Sequence, residues 1–458
     1  MECVVMGGRG TRRAGAGLVA LLCAIGLCSG PLAPAARAAP GPSQAPAWWF
    51  DSWSIPALWA RGITGREITI AVVDTGVQAA IPELAGKVLS GVNLNGQPGD
   101  GTTDYDDAPF GHGTAMSSIM VARAGFANVQ GIAPDALILP IAVPLTGSAG
   151  AGGATGDYLS EAIRWAADHG ADIISMSLGG LRDPAQVSQP CPQVTQEAIL
   201  YAIRKGAIVV AASGNSGESG SPVEEPGVCL GTLSVGAVDS ALRVAAFSSR
   251  HPYLDATAPG VDIASLGRVA GQGFIGDGTS QATALASAAL ALVWSAHPGW
   301  SARTVVSALL STAQDLGDPG PDPAYGLGFI RPDLAVDASA AGLASAANPV
   351  WDGIEPYLSE SAPPPPQAPV SVPAAATLSA PPGVVAVGAS PAAVSPWILG
   401  GAGGTVAALA ALVALGVAGL ARRPERAPPR GGPPGPPEFL RPSELPGPAG
   451  HPAGGGPV

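Results

Sequence analysis

Five short runs rich in β-branched residues mark the middle of the chain: "EITIAVVD" (67–74), "LILPIAV" (137–143), "ADIISMS" (171–177), "AIVVAAS" (207–213) and "TLSVGAV" (232–238). Each is apolar along nearly its whole length rather than at alternate positions, the pattern of a strand buried on both faces. Between them, 112–124, 156–169 and 194–205 carry helical patterns. Such strands alternating with helices predict an α/β architecture, a parallel sheet with helices on both faces. Ligands of these sheets bind beyond the carboxyl ends of the strands. Asp74, Ser177 and Ser213-Gly214-Asn215 stand at those exits.

The ends of the chain have a different character. Arg9, Arg12 and Arg13 precede a short apolar run, "LVALLCAIGLCSG" (18–30), and "AARAAP" (35–40) supplies small residues for cleavage near Ala38 or Ala39. This is the layout of a secretion signal over 1–39; the run is short for a membrane-spanning helix, the alternative reading. Near the other end, "ILGGAGGTVAALAALVALGVAGL" (398–420) is uncharged and long enough to span a bilayer. Trp397 borders it on one side and Arg422-Arg423 on the other, which puts the tail in the cytoplasm and everything before the helix outside. A buried Ala-rich helix is the alternative, but the Pro-rich flanks are unsuited to wrapping one.

The expected organisation is therefore a signal peptide (1–39), an N-terminal extension (40–65), a folded α/β domain (66–345), a Pro-rich linker (346–396), a transmembrane helix (397–421) and a Pro/Gly-rich cytoplasmic tail (422–458). The formal net charge of −12 argues against a nucleic-acid partner, which calls for a basic stripe. After signal removal two cysteines remain, Cys191 and Cys229. In an oxidising compartment a lone pair most simply forms a disulfide, and two unpaired buried thiols are the alternative.

Four polar motifs interrupt the apolar pattern. Asp74 closes a buried strand, where a carboxylate is costly unless it accepts hydrogen bonds; a histidine Nδ1–H is one such donor, and a turn amide another. His112, in "FGHGTAMSSIM", has a glycine on each side at the start of a helix, leaving its imidazole accessible. Asn215, in "AASGNSG", follows a strand, where its side-chain amide can donate to a developing oxyanion or simply close a turn. Ser280, in "IGDGTSQATALASAALALV", opens a helix of small apolar residues. Singly, each has an ordinary structural explanation.

Taken together and in this order, "VVDTGV", "GHGT", "SGNSG" and "GTSQAT" resemble the subtilisin-like serine proteases, the subtilases. "SMSLGG" (175–180) and "FSSRHPYLDATAPG" (247–260) are similar to further segments of that family. The resemblance implies a subtilisin-like parallel sheet and a serine endopeptidase with catalytic Asp74, His112 and Ser280. It further implies oxyanion donors at Asn215 and the Ser280 amide, and a substrate cleft lined by Ser177, Leu178, Gly179, Ser213 and Gly214. One departure is Ala284, where the family usually has Pro.

Fewer than ~40 residues separate Ala39 from Asp74, too few for a compact folding prodomain, so "WWFDSWSIPALWARGITG" (48–65) reads instead as an extension packed on the catalytic domain. Signal, protease domain, Pro-rich linker, single helix and short tail together resemble the mycosins, membrane-anchored proteases associated with type VII secretion. That implies a protein or peptide substrate and a membrane secretion complex as partner. Two other roles are open: a structural subunit with dispensable proteolysis, and a free-standing degradative surface protease. No cofactor is predicted. "DGTTDYDDAP" (100–109) clusters Asp100, Asp104, Asp106 and Asp107, which suits calcium, but the spacing is not that of an EF-hand and a solvated acidic loop is the expectation.

Overall fold

The computed structural model describes residues 47–106, 108, 110–144, 156–181, 191–343, 346–359 and 439–440. The expected signal peptide, most of the linker, the 397–421 segment and most of the tail lie outside these residues. Among those described, no helix is long and apolar enough to cross a membrane.

The strands in chain order are β1 (Thr69–Asp74), β2 (Val92–Asn93), β3 (Leu137–Ala142), β4 (Ile173–Met176), β5 (Gly180–Leu181), β6 (Ile208–Ala212), β7 (Glu224–Glu225), β8 (Thr232–Val238), β9 (Ala256–Pro259), β10 (Ile263–Leu266), β11 (Gly273–Gly276) and β12 (Phe439–Leu440). Seven of them form one sheet in the order β2-β3-β1-β4-β6-β8-β9, and every pairing within it is parallel. From β1 the chain builds first toward β3 and β2, then returns to the other side of β1 with β4. The order therefore reverses beside β1, and the crevice beyond its carboxyl end is where a sheet of this class binds ligands.

The main helices are α1 (Trp48–Ser52), α2 (Ile55–Ala60), α3 (His112–Val121), α4 (Gly156–Asp168), α5 (Gln193–Arg204), α6 (Thr279–Ala296) and α7 (Ala302–Ser311). α6 is apolar all round, as a helix inside a core must be; Ala282 to Val293 are buried, Ala284 completely. Its small side chains let it lie close against β4, β6, β8 and β9. Its few hydroxyls are satisfied locally: Thr283 Oγ1 donates to the Thr279 carbonyl (2.8 Å), and Ser287 Oγ reaches Ser175 Oγ on β4 (2.9 Å).

The tryptophans of the N-terminal extension pack on the domain, and Trp48, Trp53 and Trp59 donate to its backbone. Trp53 Nε1 donates to the Ile330 carbonyl and Trp59 Nε1 to that of Ile132, both at 2.8 Å. Trp53 is fully buried and stacks on Phe329 with ring centroids 5.8 Å apart. Cys191 and Cys229 are joined in a disulfide.

β10 and β11 form an antiparallel hairpin, and β12 lies parallel to β11 with Gly273 opposite Phe439 and Phe274 opposite Leu440. β12 belongs to the segment expected to be a cytoplasmic tail. The residues that join it to the domain, 360–438, lie outside those described.

Candidate active site

The strand exits converge. Asp74, the last residue of β1, is fully buried, and its two carboxylate oxygens lie 2.8 and 2.9 Å from Nδ1 of His112. The Thr75 amide donates to the same carboxylate (2.7 Å). His112 is the first residue of α3, and its side chain is 23% exposed, open on one side to the crevice. Gly113 allows this approach, because a Cβ there would fall 2.1 Å from the Gly76 carbonyl oxygen.

The acidic loop before α3 serves this histidine. Asp106 Oδ2 accepts from the His112 amide (2.9 Å), capping an N–H that the first helical turn leaves without an acceptor. Asp104 is only 3% exposed, a correction to the expected solvated loop. It accepts from Thr75 Oγ1 (2.8 Å) and from the Thr114 amide (2.8 Å) and hydroxyl (2.5 Å), tying the end of β1 to the start of α3. Burial pushes the Asp104 carboxyl up, against those hydrogen bonds. Asp100 accepts from Ser90 and Thr102, and Asp107 lies outside the described residues. Sequence reasoning missed Asp104 and Asp106 as supports of His112. The signal was present in their position just before "GHGT".

For His112, burial works against the imidazolium. The Asp74 charge and hydrogen bond, with Asp106 and Asp104 behind, outweigh it and raise the pKa to about 9. The other described histidines are structurally engaged. His169 stacks on Trp165 and His297 on Trp300. Buried His251 meets the Pro222 carbonyl at 3.1 Å, its pKa lowered to about 4 by burial.

Ser280 is the second residue of α6. Its Oγ donates to the Ser177 carbonyl (2.9 Å) and Ser177 Oγ donates to the Ser280 carbonyl (2.9 Å), a reciprocal pair linking the exit of β4 to the head of the helix. No hydrogen bond joins Ser280 to His112 among the described residues. The structure thus pairs Asp74 with His112 and turns the Ser280 hydroxyl toward Ser177.

Asn215, exposed just beyond β6, accepts at Oδ1 from both the amide and the hydroxyl of Thr279 (2.9 Å each). Committing the oxygen to α6 fixes the amide's orientation and leaves Nδ2 as its donor to the crevice. Leu178-Gly179 and Ser213-Gly214 continue from β4 and β6, adjacent strands whose registers match Met176 with Ala211. A carboxylate-held imidazole, a helix-head hydroxyl and an amide donor, each at the carboxyl end of the sheet or the helix head bonded to it, are the kinds of group that nucleophilic acyl transfer requires. Among the described residues no cluster of three or more His, Cys, Asp or Glu is arranged to hold a metal ion.

Residues 65–328 match the model of the subtilase (peptidase S8) family. Subtilisin of Bacillus pumilus is 35% identical over 283 residues, 61% of this chain and 94% of that protein. The major intracellular serine protease of Bacillus subtilis is 33% identical over 244 residues, 52% of this chain and 72% of that protein. Among solved structures, the MycP3 protease from the type VII (ESX-3) secretion system is similar with a TM-score of 0.55 and 28% identity, over 64% of this chain and 91% of that one. MycP1 from Mycobacterium smegmatis is similar with a TM-score of 0.55 and 25% identity, over 65% of this chain and 88% of that one.

Proposed function

We propose, from the premise that this chain belongs to the subtilase family of serine endopeptidases, that Asp74, His112 and Ser280 are its catalytic residues. The observation that carries the reading is the buried Asp74–His112 pair at the strand-order reversal, with Ser280 at the head of α6 bonded to the exit of β4, the strand that pairs with β1. For catalysis the Ser280 hydroxyl turns from the Ser177 carbonyl to Nε2 of His112. His112 takes its proton as Oγ attacks the peptide carbonyl, while Asp74 holds the tautomer and stabilises the imidazolium. Asn215 Nδ2 and the Ser280 amide receive the oxyanion. His112 then protonates the leaving amine, and water releases the acyl group. Ser177, Leu178, Gly179, Ser213 and Gly214 line the cleft. No cofactor takes part.

The finer reading is a protease anchored by 397–421 with its catalytic domain outside the cell, working beside a type VII secretion complex. Its support is the apolar span flanked by Trp397 and Arg422-Arg423, together with structural likeness to proteases of such systems. A purely structural subunit is the second reading. The Ser280 hydroxyl bonded to Ser177 rather than to His112 is the observation on its side.

Labelling the full-length chain with a fluorophosphonate probe, alongside Ser280→Ala, separates the two. Labelling that disappears in the variant is the expected result. A folded, disulfide-bonded protein that takes no label at any pH would remove the catalytic reading and leave the structural one.

A further inference from the structure

Glu224 lies in "SPVEEPG", a stretch without strand or helix periodicity that nothing above assigns to the site. β7 pairs antiparallel with β5, Leu181 opposite Glu224 and Gly180 opposite Glu225. This carries Glu224 alongside the segment that leaves β4. Its carboxylate reaches between the two proposed cleft walls. A Cβ built on Gly214 would sit 2.1 Å from Glu224 Oε1, and one on Gly179 would sit 3.1 Å from Oε2. Gly214 has φ +108° as well, so only glycine both adopts this backbone and leaves room for the acid.

The position relative to the proposed chemistry follows from chain neighbours. Gly214 precedes Asn215, the oxyanion donor. Gly179 lies two residues beyond Ser177, which is bonded to Ser280. A peptide carbonyl held between Ser280 Oγ and Asn215 Nδ2 has its own residue's side chain directed at the gap between these walls. The Glu224 carboxylate lies in that gap, between Gly179 and Gly214.

Glu224 is 7% exposed. The hydroxyls of Ser249 (3.5 Å) and Ser216 hydrogen-bond to it, and among the described residues no Lys, Arg or His pairs with it. Burial raises its carboxyl pKa against those hydroxyls. A buried carboxylate held only by neutral donors gains most from a cation brought to it. An acid at the end of the pocket for the acyl-side residue selects a basic side chain there.

We propose that Glu224 selects substrates with Lys or Arg as the residue whose carbonyl is attacked, its carboxylate meeting that side chain between Gly179 and Gly214. The inference rests on the protease reading above. A carboxylate that merely fills the gap would instead favour a small residue such as Ala.

The test uses peptidyl diphenyl phosphonates that differ only in this residue, Lys, Ala or Phe, on the full-length chain and on Glu224→Gln. Each inactivation rate is divided by that for a small fluorophosphonate with no side chain at this position. The Lys probe should lead in the natural chain, and its advantage over Ala should shrink roughly 30-fold or more in Glu224→Gln. A lead for Ala or Phe in the natural chain, or a Lys advantage that survives Glu224→Gln, overturns the selectivity while Ser280 labelling leaves the protease reading standing. Failure of every probe, the small one included, takes both down together.

Discussion

Replacing Asp74 by Asn probes the pair on which the proposed mechanism turns. With its pKa raised from 6.5 to about 9, His112 holds its proton by roughly 3 kcal/mol more than a free imidazole, at ~1.4 kcal/mol per pH unit. At pH 7 only about 1% of it is the neutral base that can accept the Ser280 proton. Fluorophosphonate labelling should therefore climb about tenfold per pH unit from pH 6 and level off only near 9. In Asp74→Asn the largest favourable contribution is gone while burial persists, so the limb should move to or below the ordinary histidine range. The plateau should fall by about 10⁴, since the imidazole loses its tautomer and its counter-charge. The linkage sign gives a second readout. A raised histidine pKa stabilises the fold fully below the unfolded value of 6.5, and that share is lost as pH rises through 9. Urea unfolding of the natural chain should lose up to roughly 3 kcal/mol across that window, and Asp74→Asn should not. A labelling rate in the natural chain already flat from pH 7.5 upward would refute the reasoning.

Two more outcomes are expected. Asn215→Ala should lower kcat by about 10²–10³, because it removes a donor aimed at the oxyanion; unchanged turnover in a peptide assay would end that assignment. If 397–421 crosses the membrane, protease added outside intact cells should leave the segment after Arg423 uncut, whereas cleavage there would favour the β12–β11 pairing over the crossing.

The inner strands were legible because a parallel strand covered on both faces has no polar side to break its apolar run. The edge strands were not. β2 is two residues long, and β9 is Ala-Thr-Ala-Pro, a composition with little strand character that a sheet edge tolerates. Asp74 and His112 were readable through the motifs that hold them, since a strand end and a helix start fix both positions. The direction of the Ser280 hydroxyl depends on a single rotamer and on where the Ser177 carbonyl lies, and neither is a property of the local sequence. The buried state of Asp104 was hidden for a related reason. Four aspartates in eight residues look solvated until the fold supplies Thr75 and Thr114 as donors. Glu224 gave the least sign, because its proposed role depends on how the fold sets it between Gly179 and Gly214, which no local pattern around it shows.

The disulfide has a consequence of another kind. Cys191 and Cys229 are 38 positions apart, and the chain between them includes α5, β6, Asn215 and β7 with Glu224. Any single backbone break inside that loop leaves the two pieces covalently joined, and on a gel run without reductant they would migrate as one molecule. A protease is exposed above all to other copies of itself. Here a nick in the loop that holds the proposed oxyanion donor and the proposed selectivity acid would not let either fragment diffuse away, so a scarred molecule retains every part of the proposed site.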